Sequence, residues 1–106
     1  MTNHCDLITD FVRVMNTRNE QTLAALFAEH AVVRDGGLEY RGPAEIKYWI
    51  QNAFEKDALN LEVINVSGQG EVWFFEALVS GSFEGSPVHL EHRLTIQNGK
   101  ISNLDI

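Results

Sequence analysis

Few residues of this chain are placed to do chemistry, and Asp35 is the first of them. It closes a short apolar run, Ala31-Val32-Val33-Arg34-Asp35, ahead of Gly36-Gly37. Side chains alternate along a strand, so if Val33 points into the core the Asp35 carboxylate points the same way. A carboxylate beside an apolar cavity loses hydration, which raises its proton affinity and makes it a better base near neutral pH. The competing reading is structural: Asp-Gly is ordinary turn chemistry, and the carboxylate can accept a hydrogen bond from the turn. The two roles are compatible. His92 is the second candidate, the one polar member of the row Val88, Leu90, His92, Leu94 and Ile96. It reads either as a core histidine satisfied by a neighbour or as a group that donates to a ligand carbonyl or orients Asp35. Tyr40 and Tyr48 lie close to the same segment and could supply a hydroxyl. Tyr48 follows Ile46 by two positions on a helix, which turns it away from the apolar face and toward solvent.

Other chemistries find little support. His89 and His92, three apart on a strand, project to opposite faces, and no His-x-His or Cys-x-x-Cys spacing exists, so no metal site is expected. Cys5 and His4 are neighbours on a helix, where adjacent side chains do not face each other. A single cysteine cannot form an internal disulfide. Gly68-Gln69-Gly70 joins two strands and is a turn rather than a phosphate cradle. No cofactor is implied. The formal net charge of −7 argues against nucleic acid and against anionic membrane surfaces as partners. No apolar run approaches the roughly 20 residues of a membrane span, and the first residues lack the layout of a secretory signal. A cytoplasmic location is the expectation.

The elements that must position these groups follow from periodicity. The 106 residues suit a single domain over 1–106, and 44% apolar with 22% charged residues suits a packed core. Leu7, Ile8, Phe11, Val12 and Met15 form one stripe of a first helix, about Asn3 to Asn16. Asn19 caps a second helix, with Leu23, Leu26 and Phe27 inward, ending near His30. Pro43 opens a third, with Ile46, Trp49, Ile50, Ala53 and Phe54 on one face. Beyond Asp57 the period falls to two. Strands are expected at Leu59–Val66, Glu71–Phe83, Val88–Gln97 and Lys100–Ile106, with turns at Ser67–Gly70 and Glu84–Pro87 and an Asn98-Gly99 hairpin. Trp73, Phe75, Ala77, Val79, Gly81 and Phe83 make an inward row, and Gly81 marks a bend. This is an α+β arrangement: a strongly curved antiparallel sheet wrapped as a cone around the N-terminal helices. Phe11, Met15, Trp49, Phe54, Trp73 and Phe75 are the ordinary filling of such a core. Those nearest the open end, Trp73 and Phe11 foremost, would line any cavity for a small apolar molecule. Val72, Phe74 and Leu78 face outward, which predicts a homodimer through the outer sheet face.

Several stretches together carry a family likeness. Phe11 to Asn19 leading into Leu26-Phe27-Ala28-Glu29-His30-Ala31-Val32-Val33-Arg34-Asp35, then Arg41-Gly42-Pro43-Ala44-Glu45-Ile46, then His92 seven residues before Gly99-Lys100-Ile101, resemble the SnoaL-like branch of the NTF2-like (ketosteroid-isomerase-type) superfamily. The resemblance covers almost the whole chain and implies the cystatin-like α+β barrel. That superfamily includes ketosteroid isomerases, polyketide cyclases, dehydratases, epoxide hydrolases and members without known activity. Asp35 falls where the isomerases keep their proton-moving aspartate. Their hydroxyl donor falls at Phe11 and their second donor at or beside His92, so one of three parts is kept. Two functions remain open. One is a cofactor-independent isomerase, cyclase or dehydratase using Asp35 as general acid or base, with His92 as the inward partner, on a small apolar carbonyl compound. The other is a noncatalytic ligand-binding or dimerisation domain.

Overall fold

The computed structural model describes residues 4–106, with side chains from Asp6 onward, so the Cys5 and His4 side chains lie outside the described residues. Helix α1 spans His4–Thr17, α2 Glu20–Ala25 and α3 Gly42–Gln51, and α3 runs on into a π-helical turn, Asn52–Lys56. Six strands follow the order of the chain: β1 Phe27–Asp35, β2 Leu38–Arg41, β3 Asn60–Gln69, β4 Val72–Ser80, β5 Val88–Gln97 and β6 Lys100–Asp105. They form one curved, unclosed sheet in the order β2-β1-β6-β5-β4-β3. Neighbours pair antiparallel except β1 and β6, which run parallel.

The helices carry the faces that periodicity assigns. Leu7, Ile8, Phe11 and Met15 of α1 are buried, and so is Val14. Asn19 caps α2 by accepting from the Thr22 N–H at 3.1 Å, the usual way an orphan donor of the first turn is satisfied. Along α3 and the π turn, Ile46, Trp49, Ile50, Ala53 and Phe54 are all buried.

Four element ends differ from expectation by more than one residue, each for a tertiary reason. The second helix ends at Ala25 rather than near His30, and β1 begins at Phe27 rather than Ala31. Phe27 is drawn into the strand by its parallel pairing with Ile101, and the Leu26 carbonyl accepts from the Ile101 N–H at 2.9 Å. Strand β3 runs through Ser67 and Gly68 to Gln69 instead of turning there. Gly68 lies directly beneath the Trp73 indole, where a Cβ would collide with the ring. Strand β4 stops at Ser80 instead of reaching Phe83, because the Ser82 N–H donates to the Asp57 carbonyl at 2.7 Å and Gly81 packs too close to that carbonyl for any side chain.

The core lies between the concave face of the sheet and the helices. Ring centroids run in a chain: Trp49 to Phe27 at 6.2 Å, Phe27 to Phe11 at 6.4 Å, Phe11 to Phe75 at 6.0 Å and Phe75 to His92 at 4.3 Å. Edge-on and tilted contacts of this kind each add about 0.5–1.5 kcal/mol beyond area burial. Among the described residues, no helix is long and apolar enough to cross a membrane.

Candidate functional site

The Gly36-Gly37 turn sets the register of the β1–β2 hairpin. Asp35 lies opposite Leu38, and Val33 opposite Tyr40. Cross-strand partners share a face, so Asp35, Leu38 and Tyr40 stand on the same side as fully buried Val33. Helix α3 packs against this hairpin and brings Trp49 over it. The Trp49 indole N–H donates to Asp35 Oδ2 at 2.9 Å. Trp49 is 3% exposed, and this bond satisfies its one polar atom while fixing the direction of the carboxylate. No other hydrogen bond to the Asp35 carboxylate is found among the described residues, which leaves Oδ1 available.

Beside this pair is a recess of about 540 Å³ between the hairpin and the α3–π turn segment, bordered by Asp35, Leu38, Tyr40, Tyr48, Trp49 and Leu59. Asn52 and Lys56 also face it. A volume of this size falls within the range of small-molecule sites, and its lining is mixed, with Glu39, Lys56 and Asp57 joining Asp35 around Leu38, Trp49 and Leu59. Leu38 and Tyr48, at 62% and 56% exposed, form its outer rim. The Tyr40 phenol is held above its ordinary pKa, first by burial and then by the negative charge of Asp35 and by Tyr48. A phenol is protonated at neutral pH even without this shift, so the Tyr40 hydroxyl is a hydrogen-bond donor there. Glu39, also on the border, is tied up by Arg41 at 2.6 Å and Arg34 at 3.0 Å.

His92 lies elsewhere on the same face. Arg34 and Arg93 both pair with Asp105, and the Ile106 N–H donates to the Arg34 carbonyl. One step further along each strand, Ile106 separates Asp35 from His92, two strand spacings or roughly 10 Å apart. The imidazole is 3% exposed and stacks on Phe75 at an interplanar angle of 11°. Its Nδ1 lies 3.3 Å from the Leu90 carbonyl, which can only accept, so Nδ1 carries the proton. Burial lowers the His92 pKa to about 4, with the Leu90 hydrogen bond opposing in part, and the ring is neutral at physiological pH.

The structure places the sequence candidates in three settings. Asp35 and Trp49 meet in the recess. Phe11, Met15, Phe54, Phe75 and His92 are buried core, and none of them borders it. Trp73, half-buried, covers Gly68, and its indole N–H donates to the Gly70 carbonyl at 3.0 Å. Two further recesses, near Arg18 and Lys47 and near His30 and Lys100, contain none of the sequence candidates. The contribution of Tyr40 was readable in principle, since a two-residue turn places it opposite Val33. The contributions of Asn52 and Lys56 were not, because they depend on how the π turn docks against the hairpin. Among the described residues no group of three His, Cys, Asp or Glu side chains is arranged to hold a metal ion.

Comparison with known proteins bears on the family and the fold. Residues 8–104 match the SnoaL-like domain family. A protein of Sinorhizobium meliloti, provisionally a polyketide cyclase, superposes with a TM-score of 0.90 at 30% identity, over 94% of this chain and 92% of that one. An NTF2-like protein of unknown function from Cytophaga hutchinsonii gives 0.84 at 15% identity over 99% and 88%. A protein from Catenulispora acidiphila with a ketosteroid isomerase-like fold gives 0.79 at 18% identity over 94% and 82%. No curated protein matches.

Proposed function

This chain belongs to the SnoaL-like domain family, and on that premise we propose that Asp35 moves a proton on a compact, mostly apolar carbonyl compound held in the recess, without a cofactor. The observation that carries the reading is the Trp49 N–H bond to Asp35 Oδ2 at the wall of a recess large enough for such a ligand. The Asp35 carboxylate takes a proton from the carbon next to the carbonyl. That C–H bond breaks, an O–H bond forms on Asp35, and the electron pair passes into an enolate. Its oxygen needs a donor placed in advance. Tyr40 has that role in this proposal: its hydroxyl has no hydrogen bond among the described residues, and it borders the same recess. His92, on the far side of Ile106, shapes the core. Return of the proton from Asp35 to another carbon of the enolate system completes an isomerisation. Alternatively the enolate electron pair expels a β-hydroxyl: the C–O bond breaks, and that oxygen takes the Asp35 proton and leaves as water, which completes a dehydration. The provisional assignment of the Sinorhizobium meliloti protein as a polyketide cyclase is consistent with chemistry beside a carbonyl. A cytoplasmic setting belongs to the same proposal.

Deuterium wash-in from D2O into the α-carbons of 2-tetralone, followed by proton NMR, tests it. The wild type is expected to accelerate exchange over buffer, and Asp35→Asn to abolish that acceleration by at least about 10²-fold with unchanged folding. Equal acceleration by both proteins would remove Asp35 as the base.

The second reading is a noncatalytic domain that pairs two copies. Val72, Phe74 and Leu78 support it, as apolar side chains that share the outward face of β4 and are only half-buried.

A further inference from the structure

One cation on the border of the Asp35 recess is left without a counter-charge. Trp49, Asn52 and Lys56 stand at i, i+3 and i+7 on α3 and its π turn, so they share one helical face, and all three border the recess. Trp49 holds the Asp35 carboxylate at one end. Lys56 lies two turns further on, roughly 10 Å along the helix axis, and is exposed. Helical side chains lean toward the N-terminus of their helix, which directs the Lys56 stem back toward Asn52. Neither the Lys56 ammonium nor the Asn52 side-chain amide has a hydrogen bond or an ion pair among the described residues. Three acids border the same recess, and none of them takes the ammonium. Glu39 accepts from Arg34 and Arg41, Asp35 accepts from the Trp49 indole, and Asp57 forms no ion pair with its chain neighbour Lys56.

A free ammonium and a free amide one turn apart offer N–H donors to both oxygens of a carboxylate. We propose that Lys56 and Asn52 bind a carboxylate carried by the substrate, so that the recess takes an oxo acid whose ketone lies between Asp35 and Tyr40 and whose acid group lies at the π turn. The proposal rests on the proton-transfer reading above and adds the substrate class. The Lys56 stem covers part of the separation from Trp49, and the remainder leaves room for two or more carbons between ketone and carboxylate. A γ- or δ-oxo acid therefore suits the site better than an α-oxo acid. A chain of net charge −7 repels anions at long range, and a negatively charged substrate also meets the Asp35 carboxylate. A cation at the far end of the recess offsets both repulsions and draws the acid group away from the base. Lys56 and Asn52 are specificity-determining rather than catalytic in this scheme, because the proton moves at the other end of the substrate.

Levulinate and its methyl ester differ at the acid group alone, which makes them the probes for this subsite. Deuterium wash-in from D2O at the carbons flanking the ketone is followed by proton NMR for wild type, Lys56→Met, Lys56→Glu and Asp35→Asn. Levulinate affinity is read from saturation-transfer difference NMR on the same proteins, and circular dichroism checks their folding. Wild type is expected to favour levulinate over the ester in kcat/KM by about fivefold or more, the discrimination that an exposed charge pair with hydrogen bonds supplies. Lys56→Met should bring that ratio close to unity and Lys56→Glu should invert it, both chiefly through KM. Asp35→Asn should slow exchange of both probes while levulinate still binds. Exchange that depends on Asp35 but keeps one acid-to-ester ratio in wild type and both Lys56 variants overturns the proposal and leaves the proton-transfer reading standing. Levulinate binding that Lys56→Met weakens, with no exchange catalysed by wild type, overturns the proton-transfer reading and leaves the carboxylate subsite standing. Neither binding nor exchange overturns both.

Discussion

At the scale of single residues, environment decides which groups can titrate. His92 and Asp35 stand on one face of one sheet, yet the first is sealed behind aromatic rings and the second borders a recess. Neutral His92 leads to a pH dependence of definite sign. Its pKa is about 4 in the folded chain and 6.5 as the reference value, so between those values the unfolded chain binds more protons and stability falls as pH drops. Across that window the loss attributable to His92 is roughly 3 kcal/mol by linkage. Urea melts of wild type and His92→Phe between pH 7 and 4.5 check this: the variant should show the shallower decline. Nitrogen-15 NMR at pH 6 should find the ring uncharged with its proton on Nδ1. Trp49→Phe keeps the ring in the core but removes the donor to Asp35 Oδ2. It is expected to cost about 1 kcal/mol and, if the proposed proton transfer operates, to slow it by loosening the base.

At the scale of elements, one side chain joins the helical layer to the sheet. Asn16, at the end of α1, donates to the Leu61 carbonyl at 2.8 Å and accepts from the Leu61 N–H at 2.7 Å. This occupies the edge groups of β3 much as a neighbouring strand would. Asn16→Ala leaves both backbone groups without that partner and should destabilise by about 1–3 kcal/mol, with faster amide exchange at Leu61 as its local signature. Gly68→Ala should force the Trp73 indole off its site at a cost of about 1–3 kcal/mol, visible as a shift in tryptophan emission. The Gly68–Trp73 contact, like the Leu26–Ile101 and Ser82–Asp57 bonds, fixes where a strand ends. Period-two patterning locates a strand's middle, where side chains alternate between core and solvent. Where the strand ends depends on a carbonyl or ring contributed from far along the chain.

At the scale of the whole molecule, the interior is organised by the chain of rings from Trp49 to His92. Phe11 is the central member, touching Phe27 on one side and Phe75 on the other. Phe11→Ala should cost about 3–5 kcal/mol, measurable by denaturant melts, and far more than any change on the rim at Leu38 or Tyr48. By itself the sequence determined the α+β class, the helical faces, the alternation along β4 and β5 and the Asn98-Gly99 hairpin. Each of these is a local repeat of apolar residues or a local backbone preference, and neither needs a distant partner. Only the tertiary structure decided that Phe27 belongs to a strand, that Phe11, Phe75 and His92 pack together as core, and that Trp49 holds Asp35 at the mouth of a recess. Those outcomes depend on contacts between residues 14 to 74 positions apart, and periodicity along a chain carries no information about which distant residues will meet.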